Sequence, residues 1–248
     1  MYSIPSIHRK NLFIFLITVT LTTMTMASGQ KKAIEAKTLQ DEPVITGEVF
    51  VTTMQADGSP YLLDDWARGD VVLRDGSVAR DQDLRYHGYL DELIWRQPRS
   101  MQSIKVDKQQ VASFTLYPGE QDTLTFKNLT ISPWYESGEI NFYAQILYEG
   151  DVSLVAHQRI RRTGETHRST GGRIISRPRI ELDPVYYFVM PDDEAREVGR
   201  KSNRSVSRLF PDHRRDVRSA LRNAGIRIND ERDMKEAARI IDTLYQDW

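Results

Sequence analysis

The chain has no cysteine. No disulfide can staple its fold, which must rest on an ordinary hydrophobic core, and no lipobox can receive an acyl chain. A thiol nucleophile is excluded on the same ground. Histidine is scarce, with five in 248 residues; His87, His157, His167 and His213 follow the N-terminal apolar run, and none stands at the spacing of a helical or H-x-H metal site. The serines form no G-x-S-x-G elbow. The glycines form neither G-x-G-x-x-G nor a P-loop. Acidic clusters at Asp64-Asp65 and Asp192-Asp193-Glu194 lack the alternating ligands of a calcium loop, and read as turn or capping residues. These absences leave no residue to name as catalytic and no cofactor or metal to expect, and an enzyme is the less favoured class.

Long apolar runs are also few. One spans Leu12 to Met26, preceded by His8, Arg9 and Lys10 and followed by the small residues Ala27, Ser28 and Gly29. A charged start, an apolar stretch shorter than the roughly 20 residues of a spanning helix, and a small-residue close make a secretory signal peptide. The expected cleavage follows Gly29, so residues 1–29 are a signal and the product is periplasmic or secreted. No second apolar run follows, so no integral membrane span is expected in the mature chain.

Charge is balanced in sum and divided in space. The formal net charge is −1, yet residues 41–150 hold 18 Asp and Glu against 9 Lys and Arg, while residues 158–227 hold 17 Lys and Arg against 9 acids. A basic half of this kind suits an anionic surface or an envelope protein partner. Nucleic acid is not expected as a partner of an exported chain, although arginines 214, 215, 218 and 222 lie near a two-helix pattern that superficially suggests a helix-turn-helix.

Residues 30–43 are polar and without period, a flexible lead. From 44 to 160 the pattern is that of strands: Val44–Thr52, Val71–Leu73 ending at Asp75-Gly76, Leu84–Trp95, Ile104–Val106, Val111–Leu116 and Thr123–Ile131. The clearest alternation runs through Ile140, Phe142, Ala144, Ile146 and Tyr148, turns at Gly150-Asp151, and returns through Val152, Leu154 and Ala156. A two-residue type II′ hairpin is the expectation there. Close strand spacing without intervening helices argues for antiparallel pairing. Residues 161–190 read as an arginine-rich loop, Arg161–Arg179, followed by a strand at Val185–Met190.

Residues 191–248 read as helical. Pro191 and the acids after it suit a first helical turn, Pro211-Asp212 opens a second helix closed by Gly225, and Asp230 caps a third carrying Met234, Ala237, Ala238, Ile241, Leu244 and Trp248 on one face. The expected architecture is α+β: an antiparallel sheet or small curled barrel followed by a small C-terminal helical unit.

Among the histidines, His87 stands four residues from Asp91. On one strand such residues lie about 13 Å apart at roughly 3.3 Å per residue, so the expectation is a polar histidine on an exposed strand face. Tyr135, Tyr143, Tyr148, Tyr186, Tyr187 and Phe188 could line a carbohydrate or peptide groove, although strand packing accounts for most of them. The candidate contact residues are Arg161, Arg162, Arg173, Arg177 and Arg179, for an envelope protein or an anionic surface.

One stretch is more specific. Gly58-Ser59-Pro60-Tyr61-Leu62, Trp66, Gly69-Asp70-Val71-Val72-Leu73 and Asp75-Gly76, with Leu84-Arg85-Tyr86 and Asp91-Glu92-Leu93 downstream, resembles an uncharacterised group of secreted proteins common in Bacteroidota-type bacteria. The resemblance covers about residues 47–160, with a looser echo in the C-terminal helices. It implies a periplasmic or envelope setting and brings no catalytic residues. The leading expectation is therefore a non-enzymatic binding or structural accessory protein. The alternative is a periplasmic hydrolase whose site is assembled from distant residues, with His87 or His157 within hydrogen-bond reach of a carboxylate.

Overall fold

A computed structural model describes residues 44–248 except Thr53, residues 135–137 and Gly172. The expected signal peptide 1–29 and flexible lead 30–43 lie outside the described residues, as does Tyr135. Strands dominate, in keeping with the β-branched, period-two character of the sequence. β1 (Gly47–Val49), β2 (Ala67–Leu73), β3 (Val78–His87), β4 (Glu92–Arg96), β5 (Ser103–Val106), β6 (Val111–Tyr117) and β7 (Leu124–Pro133) pair antiparallel in the order β1-β5-β4-β3-β2-β6-β7. Gly76, at φ +85°, closes the turn between β2 and β3, where a residue with a Cβ would be strained.

The sheet then closes on itself. β8 (Ile140–Tyr148), β9 (Ser153–His157), β12 (Val185–Val189) and β13 (Glu194–Glu197) continue it, and β7 pairs with both β13 and β8. The ring β7-β13-β12-β9-β8 is a five-stranded barrel. Its closing pair, Glu194 to Ser132 and Ala195 to Pro133, is parallel. Alternate residues from these strands meet inside: Ile131, Phe142, Ala144, Val155, Tyr187 and Ala195 form one buried cluster. The opposite faces of β9 and β12 send Leu154, Ala156, Tyr186 and Phe188 outward into a second core. β8 is buried on both sides, because Tyr143 points from the barrel into a third core with Tyr86, Phe114 and Phe126 beneath the meander. Period-two alternation therefore survives as geometry but not as an apolar and polar code.

Helices cover the outer face of β9 and β12. They are α1 (Asn203–Arg208), α2 (Arg214–Asn223) and α3 (Glu231–Tyr245). The Ser202 side chain accepts from Ser205 N, and Asp230 accepts from Asp233 N at 2.8 Å, each satisfying an orphan amide of the first turn. Val206, Val217, Leu221, Met234, Ala237, Ala238 and Ile241 face the sheet and are buried. The fold is α+β with a barrel and a small C-terminal helical unit, as the sequence leads one to expect.

Four expectations need correction. Leu84–Trp95 is two strands, β3 and β4, because the chain reverses at Gly88–Asp91; Asp91 takes φ +56° there. Residues 161–179 form no loop but most of β10 (Ile160–Thr170) and β11 (Arg173–Leu182), a separate two-stranded ribbon. Its few apolar residues hid the strand signal, since backbone pairing between two strands needs no buried face. Pro191 and its acids open no helix: they make a tight turn, with Asp193 at φ +63°, that leads into β13. The β8–β9 connection is longer than two residues and Gly150 is not at positive φ; Ser153 Oγ ties it instead, donating to Gly150 O and accepting from Gly150 N.

Candidate anion-binding arm and a buried polar junction

Backbone hydrogen bonds anchor the ribbon β10–β11 near its base. Ile160 N donates to Gly88 O at 3.0 Å, Asp57 N donates to Pro178 O at 2.8 Å, and Ile180 N donates to Asp57 O at 2.9 Å. Ile160 and Ile180 are buried, while residues 161–165 and 173–177 are exposed without alternation. The distal ribbon is therefore an arm exposed on both faces, save where Thr166 and Arg168 meet Asp57.

Register decides which side chains share a face, since directly opposed residues point the same way. Arg168 opposes Ile175, two residues from Arg173, Thr166 opposes Arg177, Gly164 opposes Arg179 and Arg161 opposes Glu181. Four of the five expected contact residues, Arg161, Arg173, Arg177 and Arg179, thus lie on one face, joined by Arg168. Arg162 does not belong with them: it opposes Ile180 on the other face and pairs with Glu165. The Ser176 hydroxyl, and then Arg162, hold the Glu165 carboxyl below its ordinary range.

Arginines on the shared face are engaged unequally. Arg161 and Arg159 both reach Asp183, and Arg179 pairs with Glu181 at 2.6 Å. Arg168 is 3.7 Å from Asp57, whose carboxylate also accepts from Thr166 Oγ1 at 2.7 Å. Among the described residues no ion pair engages Arg173 or Arg177 within 4 Å. A cleft of about 170 Å³ opens here, lined by Asp57, Thr166, Arg168, Ile175 and Arg177. It is large enough for one small anionic group beside two guanidinium forks, which match phosphate and carboxylate geometry. Asp57, Thr166 and Arg168 were missed in the sequence. The odd-numbered spacing of Arg173, Arg177 and Arg179 was the available signal, and it needed only to be read as a strand.

The second cluster centres on Asp91, in the β3–β4 turn. Its carboxylate accepts from Tyr86 OH at 2.7 Å and from Tyr143 N at 3.1 Å, and it pairs with Lys108. One side chain thus ties the meander (Tyr86, Lys108) to the barrel strand β8. Burial, and then the Asp91 charge, push the Tyr86 phenol far up, so it remains a donor. His157 stacks on Phe142 at 4.5 Å and places Nε2 3.9 Å from Asp91 Oδ1, beyond hydrogen-bond reach. Burial lowers the His157 pKa despite that carboxylate. His87 is buried, not exposed: its ring meets Tyr61 at 4.8 Å and Phe50 at 5.5 Å, and its Nδ1 accepts from Leu90 N. Asp91 thus receives three donors, and His157 Nε2 stands buried beside it without a hydrogen-bond partner. No group of three or more potential metal ligands gathers among the described residues.

The tyrosines offered as a groove are dispersed. Tyr143, Tyr186, Tyr187 and Phe188 are buried in three different cores, and Tyr148 donates to Asp242 at 2.7 Å. Among the described residues, no helix is long and apolar enough to cross a membrane. Compared with known proteins, the chain matches no family model, no curated protein and no solved structure.

Proposed function

We propose that this is an exported, non-enzymatic envelope protein that binds an anionic surface through the β10–β11 arm. The observation that supports it most is the common face of Arg161, Arg168, Arg173, Arg177 and Arg179 on a ribbon whose strands are exposed along most of their length. Two of these arginines have no acidic partner among the described residues, and a third shares its carboxylate with a threonine hydroxyl. Exposed guanidinium groups held in a row by a ladder of backbone hydrogen bonds present charge with little further ordering on contact. The signal-like N-terminus and the resemblance to secreted proteins of Bacteroidota-type bacteria support the envelope setting.

The direct test is salt-titrated co-sedimentation with vesicles containing or lacking phosphatidylglycerol. At about 1 kcal/mol for each arginine near an anionic surface, the triple variant R168Q/R173Q/R177Q loses roughly a hundredfold in partitioning at low salt. Equal binding of the variant and the wild type sinks the reading. Cell fractionation together with N-terminal sequencing of the mature chain tests export: a product retained in the cytoplasm with residue 1 intact refutes it.

A hydrolase centred on Asp91 and His157 is the second reading, favoured by their 3.9 Å approach. It requires His157 to close that gap while Asp91 keeps three other donors.

A further inference from the structure

Independently of the arm, we propose that a cleft at the C-terminal helical face is a binding site for a neutral saccharide. Three elements build it. Arg196 comes from β13, Phe210, Pro211, Asp212 and His213 from the α1–α2 connection, and Tyr245 and Trp248 from the end of α3. The cleft has a volume of about 330 Å³, at the lower end of small-ligand sites, which span roughly 300–1,000 Å³.

Its rings are fixed before any ligand arrives. Trp248 stacks on His213 at 4.0 Å with 13° between planes, and meets Phe210 at 5.8 Å and Tyr245 at 5.7 Å. Arg196 is held rigidly as well: Nε donates to Glu194 at 2.7 Å, Nη1 donates to Leu209 O at 2.6 Å, and the guanidinium lies 5.6 Å from the Phe210 ring. Phe210 is buried, yet Trp248 keeps 39 % of its surface exposed. Two of the chain's four tryptophans belong to this region, since Trp134, 49 % exposed, lies with its ring 5.8 Å from the Arg196 guanidinium.

The chemistry of the lining selects the ligand class. Ring faces carry negative quadrupole density and favour the weakly positive C–H face of a pyranose. Asp212, His213, Tyr245 and Arg196 border those rings and offer donors and acceptors to hydroxyl groups. An apolar protein segment would leave these polar groups unpaired, whereas a sugar ring, apolar on one face and hydroxylated at its rim, meets both requirements. Charge excludes a strongly anionic ligand: the Arg196 charge is already met by Glu194, and Asp212 adds a negative one. The site thus differs in kind from the arginine face of the arm.

Calorimetry and tryptophan fluorescence with cellotriose, maltotriose, mannotriose and chitotriose provide the test, with a glucuronate trimer as the charged comparison. At least one neutral trimer is expected to bind and to shift the tryptophan emission. Trp248→Ala and Asp212→Asn should each weaken binding by about tenfold through lost ring stacking and lost hydrogen bonds. Asp212 is exposed, so Asp212→Asn decides the matter even where Trp248→Ala destabilises the fold. Absence of binding by all four neutral trimers overturns the proposal. So does binding that neither substitution changes, or a preference for the glucuronate trimer.

Discussion

Gly150 stands directly over the carboxylate of Asp242: a Cβ added at position 150 would fall 2.2 Å from Asp242 Oδ2. That carboxylate, buried on α3, accepts from Tyr148 OH and from Val152 N, each at 2.7 Å. The last helix is thereby joined to the β8–β9 connection by a single side chain. Gly150→Ala drives that carboxylate away from Tyr148 OH and Val152 N and is expected to destabilise the protein by about 2–3 kcal/mol, within the range for overpacking. Asp242→Ala strands a buried amide and should cost about 2–4 kcal/mol. Urea denaturation reads both, as a fall in midpoint at unchanged slope; a midpoint equal to the wild type in either variant contradicts the linkage.

Asp91 does comparable work between meander and barrel. Asp91→Ala leaves Lys108 partly buried without its partner and Tyr143 N without an acceptor, and a loss of about 3–5 kcal/mol is expected. Asp91→Asn retains an acceptor and should lose less. If either variant instead keeps full stability and abolishes a hydrolytic activity of the wild type, the enzyme reading displaces the binding one.

The two inward-facing histidines predict a pH profile. Burial lowers the pKa of both His87 and His157 below the ordinary 6.5. The unfolded chain therefore binds more protons in that window, and stability is full above about pH 6.5 and declines as pH falls through the lowered folded values. Glu92 acts in the opposite sense, because burial raises its pKa above 4.5 and favours the folded state on the acid side of that value. Chemical denaturation between pH 7 and 5 should show the decline, and His87→Gln with His157→Gln should flatten it. A wild-type profile without slope over that range refutes the assignment.

The arm should be dispensable for folding. Gly164 opposes Arg179, so an Asn-Gly turn can replace residues 165–178 and close the ribbon early. The body loses the Asp57 N–Pro178 O and Thr166–Asp57 hydrogen bonds and the Arg168–Asp57 pair, about 2 kcal/mol together. Thermal unfolding should shift by a few degrees at most, while phosphatidylglycerol binding disappears. Loss of the folded state on excision would show that the arm is part of the core.

Much of the fold was legible because its signals are local. Asp75-Gly76 dictates a reversal by backbone sterics, Asp230 caps α3 through an amide three residues away, and the apolar stripe from Met234 to Ile241 announces a helix with one buried face. The arm was harder to read. Strands are recognised by alternating burial, and β10 and β11 bury neither face along most of their length. Their register became visible only when Arg168 was found opposite Ile175.

Long-range contacts decided the rest. Barrel closure depends on Glu194 meeting Ser132, a pairing of residues far apart in sequence that no local pattern encodes. A turn, not a strand, joins His87 to Asp91, so His87 pairs across it with Glu92, and Asp91 reaches Tyr143 on another strand. The cleft around Trp248 exists because β13 and two helical segments converge, and Tyr143, Tyr186 and Tyr187, which looked eligible in sequence, went into cores instead. By itself the sequence determined most element types outside the arm and the Pro191 turn, the absence of disulfides and the division of charge, since each follows from residue chemistry and short-range backbone preference. Tertiary structure alone decided which charges and rings share a surface, because that depends on strand register and chain closure, where loop entropy and core packing outweigh any local preference.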